Sequence, residues 1–146
     1  VDVVHDLDAG PWPFADGAAD AINAEHVFEH VADPVLFMTE CHRILAAPGR
    51  LTIVTPYYKS PDAFTDPTHR RFCTEDSFSY WITGNIYHDH SNQQYGGVSF
   101  YSRGPRLIGG SLEIVLVKPP PGGFPPDFVH PVGSELHGSL DGEVDL

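Results

Sequence analysis

The sequence predicts an α/β fold built on a mostly parallel sheet, with an antiparallel strand pair toward the carboxyl end. Three observations carry this reading. A short strand pattern at Asp20 to Ala24 precedes a well-signed helix that starts at Asp33, and an almost wholly apolar strand, Arg50 to Thr55, follows that helix. Such a strand-helix-strand order makes a right-handed crossover between parallel neighbours, and the apolar character of its last strand indicates burial on both faces. Further on, Val98 to Ser102 and Ser111 to Lys118 read as two strands joined by a Gly/Pro-rich link, hence an antiparallel pair.

Taken in order, Val1 to His5 is an apolar-rich run broken by Leu7, Ala9, Gly10 and Pro11, which predicts a strand entering a loop. The loop continues through Trp12-Pro13-Phe14 to the turn pair Asp16-Gly17. After the Asp20 strand, Glu25 to His30 suits a single helical turn. Asp33 is placed to cap the main helix, Pro34 takes its first position, and Phe37, Cys41, Ile44 and Leu45 recur at helical spacing until Ala47-Pro48-Gly49. Thr74, with Glu75 and Asp76 in the next turn, opens a second predicted helix through Phe78, Tyr80, Trp81 and Ile82. Residues 84–97 read as a polar surface loop. From Pro119 onward six prolines and five acids show no periodicity, so two regions are expected: an ordered unit over 1–118 and a loosely packed Pro/Gly-rich acidic tail over 119–146.

The 146 residues suit one domain or part of one, and 41% apolar against 19% charged content predicts a chain that folds. Its longest aliphatic or Met/Phe runs, Val35 to Met38 and Ile114 to Val117, fall far short of the about 20 residues that a membrane helix needs. No membrane span is expected. The first ten residues hold three aspartates and neither Lys nor Arg, the reverse of a secretory signal, which predicts a cytoplasmic protein. A formal charge of -12, with only Arg70 and Arg71 adjacent among the bases, argues against a nucleic-acid partner on electrostatic grounds. Cys41 and Cys73 form neither a disulfide framework nor a metal knuckle and are read as packing residues.

Missing motifs narrow the chemistry. The sequence has no Gly-x-Gly, no Gly-Lys-Ser/Thr phosphate loop and no Gly-x-Ser-x-Gly elbow, so dinucleotide, P-loop and ordinary serine-hydrolase readings drop out.

The ordered run His5-Asp6-Leu7, Trp12-Pro13-Phe14, Asp16-Gly17, Asp20-Ala21, Glu25 to His30, Asp33-Pro34, Glu40 to Leu45 and Pro48-Gly49 resembles the middle of a class I S-adenosylmethionine-dependent methyltransferase, closest to the type 11 group. Asp66 to Phe72 followed by Glu75 to Phe78 is similar to a stretch found in part of that group. The resemblance implies a partial Rossmann-like methyltransferase sheet, S-adenosylmethionine as cofactor, and a place for Val1 near the third strand of the family's sheet. It also implies that the glycine-rich donor loop and the ribose-binding acid lie upstream of Val1. The chain is therefore expected to be a fragment, the carboxyl-terminal portion of such an enzyme, with an uncovered apolar sheet edge.

Site roles follow from the same resemblance. Asp6 matches the acid that accepts from the adenine amino group, and Leu7 supplies the adjacent backbone amide; charge-assisted bonds of this kind are about twice as strong as neutral ones. The other reading of Asp6 and Asp8 is as turn formers before Gly10. Ala24, Glu25 and His26 end the strand beside the donor's sulfonium, although His26 is equally well read as a residue starting a helical turn. Tyr57 and Tyr58 follow the buried strand and are placed to shape an acceptor pocket. His69 is the candidate catalytic base, against a reading in which Asp66 to Arg71 locks a lid loop through Asp-Arg pairing. Glu40 and Arg43 read as an ion pair on a solvated helix face. His26 and His30, with Glu25 and Glu29, read as a metal pair at helical spacing, but Val27 after His26 breaks the His-Glu-x-x-His pattern, and the side chains of His88-Asp89-His90 seldom converge with a third ligand; no metal is expected. The acceptor stays open, and the alternative to an enzyme is a truncated or degenerate non-catalytic module of the same fold.

Overall fold

The computed structural model describes residues 2–124 and 143–146. Its spine is a strand-helix-strand unit: β1, Ala19–Glu25; α1, Pro34–Ile44; and β2, Leu45–Pro56, parallel to β1. The helix starts where its cap predicts, with Asp33 Oδ1 accepting from the amides of Val35 and Leu36, both at 3.0 Å. Phe37, Met38, Cys41 and Ile44 form its buried stripe. It stops at Ile44, earlier than expected, because Leu45 turns extended while Lys118 Nζ donates to the carbonyls of His42 at 2.7 Å and Leu45 at 2.8 Å. Those bonds satisfy last-turn acceptors that another turn of helix would have used. The Ala47-Pro48-Gly49 segment then falls inside β2, where the pairing jumps from Ala19 opposite Leu45 to Ala21 opposite Arg50. Gly49 is required there, since a Cβ would sit 2.6 Å from the Ala46 carbonyl oxygen.

The sheet holds two further described strands on the β2 side, β3 at Arg106–Ile108 and β4 at Ser111–Lys118, both pairing antiparallel. Strand β5, Glu143–Asp145, adds on the other side, parallel to β1, and completes the order β3-β4-β2-β1-β5. The mostly parallel centre with an antiparallel pair matches the fold class expected. Leu51, Ile53 and Leu116 are fully buried on one face, whereas Thr52, Val54 and Val115 on the other are only half-buried. Burial on both faces, read from the apolar run, is thus incomplete. Trp12, Phe37, Phe28 and Phe78 form an aromatic chain beneath the sheet, with successive centroids 5.6, 5.5 and 5.0 Å apart.

Other local expectations change. Residues 2–6 form no strand. The helix expected from Thr74 is a run of turns ending in a 3-10 turn, Ser79–Trp81, drawn straight by the bridge between Ile82 and Phe100. The polar loop at 84–97 instead contains α3, Ile86–Ser91, capped by Asn85, whose side chain accepts from the Tyr87 amide. A short helix of four residues, Asp62–Thr65, precedes both and is labelled α2. Among the described residues Val98 to Ser102 makes isolated bridges through Phe100 and Tyr101; the hairpin partner of β4 is β3, which lies in the predicted link. Within the tail, residues 125–142 lie outside the described set, while Glu143–Asp145 is the strand that occupies the outer edge of β1. The apolar edge expected there is covered: Leu146 N donates to the Asn23 carbonyl at 2.8 Å, and Asn23 Nδ2 donates to Asp145 at 2.9 Å.

Glu40 is buried, not on a solvated face. It accepts from the Trp12 amide at 2.6 Å and from Arg43, which also donates to the carbonyls of Phe14 and Trp12. Arg43 therefore holds the Trp12 to Asp16 loop onto α1, and it keeps the Glu40 carboxyl below its usual range.

Candidate functional site

At the carboxyl end of β1 the chain turns sharply, with His26 in the left-handed region at φ 55° and its amide donating to the Val54 carbonyl at 2.8 Å. A non-glycine residue held there is uncommon and costs about 1 kcal/mol or more, which neighbouring contacts must offset. The turn, residues 26–31, faces the segment Asp6 to Asp8 across a shallow depression of about 290 Å³ lined by Asp6, Leu7, Asp8, His26, Val27, His30 and Val31. Three of the predicted donor-binding residues, Asp6, Leu7 and His26, thus share one surface. Asp8 fixes the arrangement: its Oδ1 accepts from the amides of Ala32 at 2.7 Å and Asp33 at 3.1 Å. Asp6 accepts from the Asp8 amide through Oδ1 at 2.9 Å, so it forms the expected turn while its second oxygen stays uncommitted. Ala24 is buried in the strand and Glu25 is exposed, and neither lines the depression.

A larger cleft, about 450 Å³, lies beside it between Asp2, Val3, His5, Trp12 and the strand residues Val144 and Asp145. Leu7 borders both hollows. The sequence offered no signal for this cleft, because one wall comes from the end of the chain.

Tyr57 and Tyr58 stand at the end of β2 with rings edge to face at 4.9 Å, and neither lines the depression at Asp6. The Tyr57 hydroxyl donates to Glu75 at 2.6 Å, and that carboxylate pushes the phenol up to about 12. Both backbones are tied elsewhere, Tyr57 N to the Gly110 carbonyl and Tyr58 N to that of Cys73.

The loop after α2 folds back onto the 26–31 turn. Arg70 N donates to the Glu29 carbonyl at 2.8 Å, and Arg71 donates to the Phe28 carbonyl with its guanidinium over the Phe28 ring. The lock is therefore made to backbone, and the predicted Asp-Arg pairing is replaced: Asp66 accepts from the Thr68 amide and hydroxyl, which hold its carboxyl below the ordinary range. His69 Nδ1 stands 2.8 Å from the Ala63 carbonyl. A carbonyl only accepts, so in the neutral ring Nδ1 carries the proton and Nε2 keeps its lone pair. The His69 ring meets His30 edge to face at 4.8 Å, which brings the candidate base to the turn that borders the depression. Glu29, which the sequence pairs with His26 and His30 but not with His69, lies buried below this pair, with Oε2 accepting from the Thr55 hydroxyl at 3.0 Å.

Residues 2–53 match the family model described as methyltransferase domain. The same architecture recurs in solved structures, including a chain of the complex between the Haloferax volcanii Trm112 methyltransferase activator and a methyltransferase, with TM-score 0.60 and 17% identity over 81% of this chain and 61% of that one. The protein has a class I methyltransferase fold. A SAM-dependent methyltransferase of Aquifex aeolicus aligns with TM-score 0.53 at 14% identity, over 79% of this chain and 53% of that one. One from Thermotoga maritima gives 0.51 at 16%, over 74% and 59%. The chain thus spans between about half and three fifths of the length of those structures. No curated protein gives a significant sequence match. Among the described residues no helix is long and apolar enough to cross a membrane.

Proposed function

We propose that this domain contributes the adenine-side and acceptor-side portions of an S-adenosylmethionine-dependent methyltransferase site. The observation that carries the reading is the shared depression: Asp6 and Leu7, with His26 from a separate turn, line one surface at the carboxyl end of β1. Ligands of open α/β sheets bind at that end of the strands. In this reading the uncommitted oxygen of Asp6 accepts from the adenine amino group, the Leu7 amide supplies a second contact, and the turn from Ala24 through Glu25 to His26 lies beside the methionine portion. S-adenosylmethionine supplies an activated methyl group, and methyl transfer asks the protein chiefly to align the acceptor and exclude water. His69, with its Nε2 lone pair, serves as the base for a hydroxyl or amine acceptor, and Tyr57 and Tyr58 border the acceptor's approach.

Calorimetric titration of the chain with S-adenosylmethionine, and with its demethylated product, tests this. Saturable binding weakened by Asp6→Asn is the expected result, and absence of binding at millimolar ligand overturns it. The second reading, a non-catalytic module of the same fold, is favoured by the lack of any Gly-x-Gly in the 146 residues. It predicts a folded chain with no affinity for either nucleoside.

A further inference from the structure

We propose that Glu29, His30 and His69 form a site for a divalent first-row transition-metal ion, which clips the loop at 66–71 onto the turn after β1. One ligand-competent atom from each of the three lies within 4.8 Å of the others. Two residues adjacent in the turn are joined by a third from a separate loop, a convergence that spacing along the chain does not display.

The carboxylate supplies the independent observation. Glu29 is 1% exposed, and its Oε1 has no hydrogen-bond partner, while Oε2 is taken by Thr55. An ionised carboxylate so placed is costly unless something positive faces it. Two cationic side chains stand near. His26 Nδ1 is 3.4 Å from Oε1, but its ring is half-exposed and carries charge only when protonated. Arg71 donates to the Phe28 carbonyl and makes no hydrogen bond to Oε1. A metal ion gives Oε1 the direct partner that neither provides.

The histidines are prepared for the task. The proton of the Thr68 hydroxyl goes to Asp66 at 2.7 Å, so the hydroxyl accepts from His30 Nδ1 at 3.1 Å. The Ala63 carbonyl fixes His69 in the same tautomer. Orientation of ligating imidazoles by an outer carboxylate or carbonyl is how metal sites set ring and tautomer. Asp66 Oδ2, 3.9 Å from His69 Nε2, stands close enough to join the coordination or to steady it.

Two imidazoles and one carboxylate favour zinc, iron, cobalt or nickel over magnesium or calcium, and they leave coordination positions open. Ligand atoms around a tetrahedral ion with bonds of about 2.1 Å lie about 3.4 Å apart. The His30 and His69 rings therefore have to draw in slightly toward the buried Glu29. A metal on His69 Nε2 takes the lone pair that a base would use, so in the loaded chain His69 is a ligand and not the base. Where the domain binds a methyl donor in the neighbouring depression, the open positions point to an acceptor oxygen as the further ligand, activated by the ion in place of His69; that last step alone rests on the methyltransferase reading.

The test uses the full chain, purified without a histidine tag, stripped of metal and titrated with Zn²⁺ by calorimetry and with Co²⁺ by absorption, in the absence of any methyl donor. One ion per chain is expected, with His30→Ala and His69→Ala each weakening binding at least about tenfold. The double variant His88→Ala/His90→Ala, in α3, is expected to bind as the parent does. His69→Cys adds a positive signal, a thiolate-to-Co²⁺ charge-transfer band that arises only if position 69 is a ligand. No binding by the folded parent, or binding that survives both single variants and gives no such band, overturns the proposal. Because no donor is present, that failure would leave the donor-binding reading standing, and loss of donor binding alone would leave the metal site standing.

Discussion

Arg43 forks onto Glu40, Nε to Oε1 at 2.9 Å and Nη2 to Oε2 at 2.8 Å, while the same carboxylate accepts from the Trp12 amide. One helical residue thereby anchors the loop that leads into β1. Arg43→Ala leaves Glu40 buried without its cation and frees the Trp12 and Phe14 carbonyls, so stability falls by about 2–3 kcal/mol. Arg43→Lys recovers only part of that, since an ammonium has no fork. Urea denaturation of the three proteins measures both differences.

Acid weakens the fold through two groups on α1. Burial and the Lys118 ammonium lower His42 to about 4, below the ordinary value of 6.5, so the unfolded chain binds its proton first as pH falls. The stability from neutral His42 is complete above about pH 6.5 and drains away down to about 4. Glu40, also depressed, adds a loss of the same sign at lower pH, as its carboxylate is protonated away from Arg43. Thermal melting between pH 7.5 and 4 is expected to show a falling midpoint. His42→Phe should flatten the upper part of that curve.

Asp6 and Asp8 separate into ligand and scaffold. Asp8→Ala removes the acceptor for the Ala32 and Asp33 amides and is expected to cost about 1–2 kcal/mol, as loss of a helix cap does. Asp6→Asn keeps the oxygen that meets the Asp8 amide and is expected to stay within about 0.5 kcal/mol of the parent. Its effect should appear in the nucleoside titration alone. Equal stability losses for both variants would contradict this division.

Ending the chain after Gly142 bares the outer edge of β1, whose backbone pairs with β5. An exposed strand edge recruits other chains. The shortened protein is expected to associate with rising concentration in light scattering, while the parent stays monodisperse at equal loading.

Much of the centre was legible because local signals agreed: Asp33 and Pro34 mark one helix start, and the Arg50 to Thr55 run marks one buried strand. The apolar count missed the second face of the sheet, since Val54 and Val115 are apolar yet only half-covered. Glu40 was misplaced because its spacing to Arg43 names a partner but not a side of the helix; Trp12, from a distant loop, decides that. Helix α3 escaped for want of a stripe, its residues being held by the Asn85 cap and not by burial. Of the site, the order of motifs flagged Asp6, Leu7 and His26. Nothing in the same order indicated that His69 would meet His30 above Glu29, because that encounter depends on how a loop returns across the sheet.

The β5 strand makes the flank of β1 a seat already taken. Any newcomer, from this polypeptide or another, can pair with the Ala21 to Asn23 stretch of β1 only by exchange, evicting Glu143–Asp145 before its own amides find partners there. Growth there becomes a competition between occupants, with the tail holding first possession.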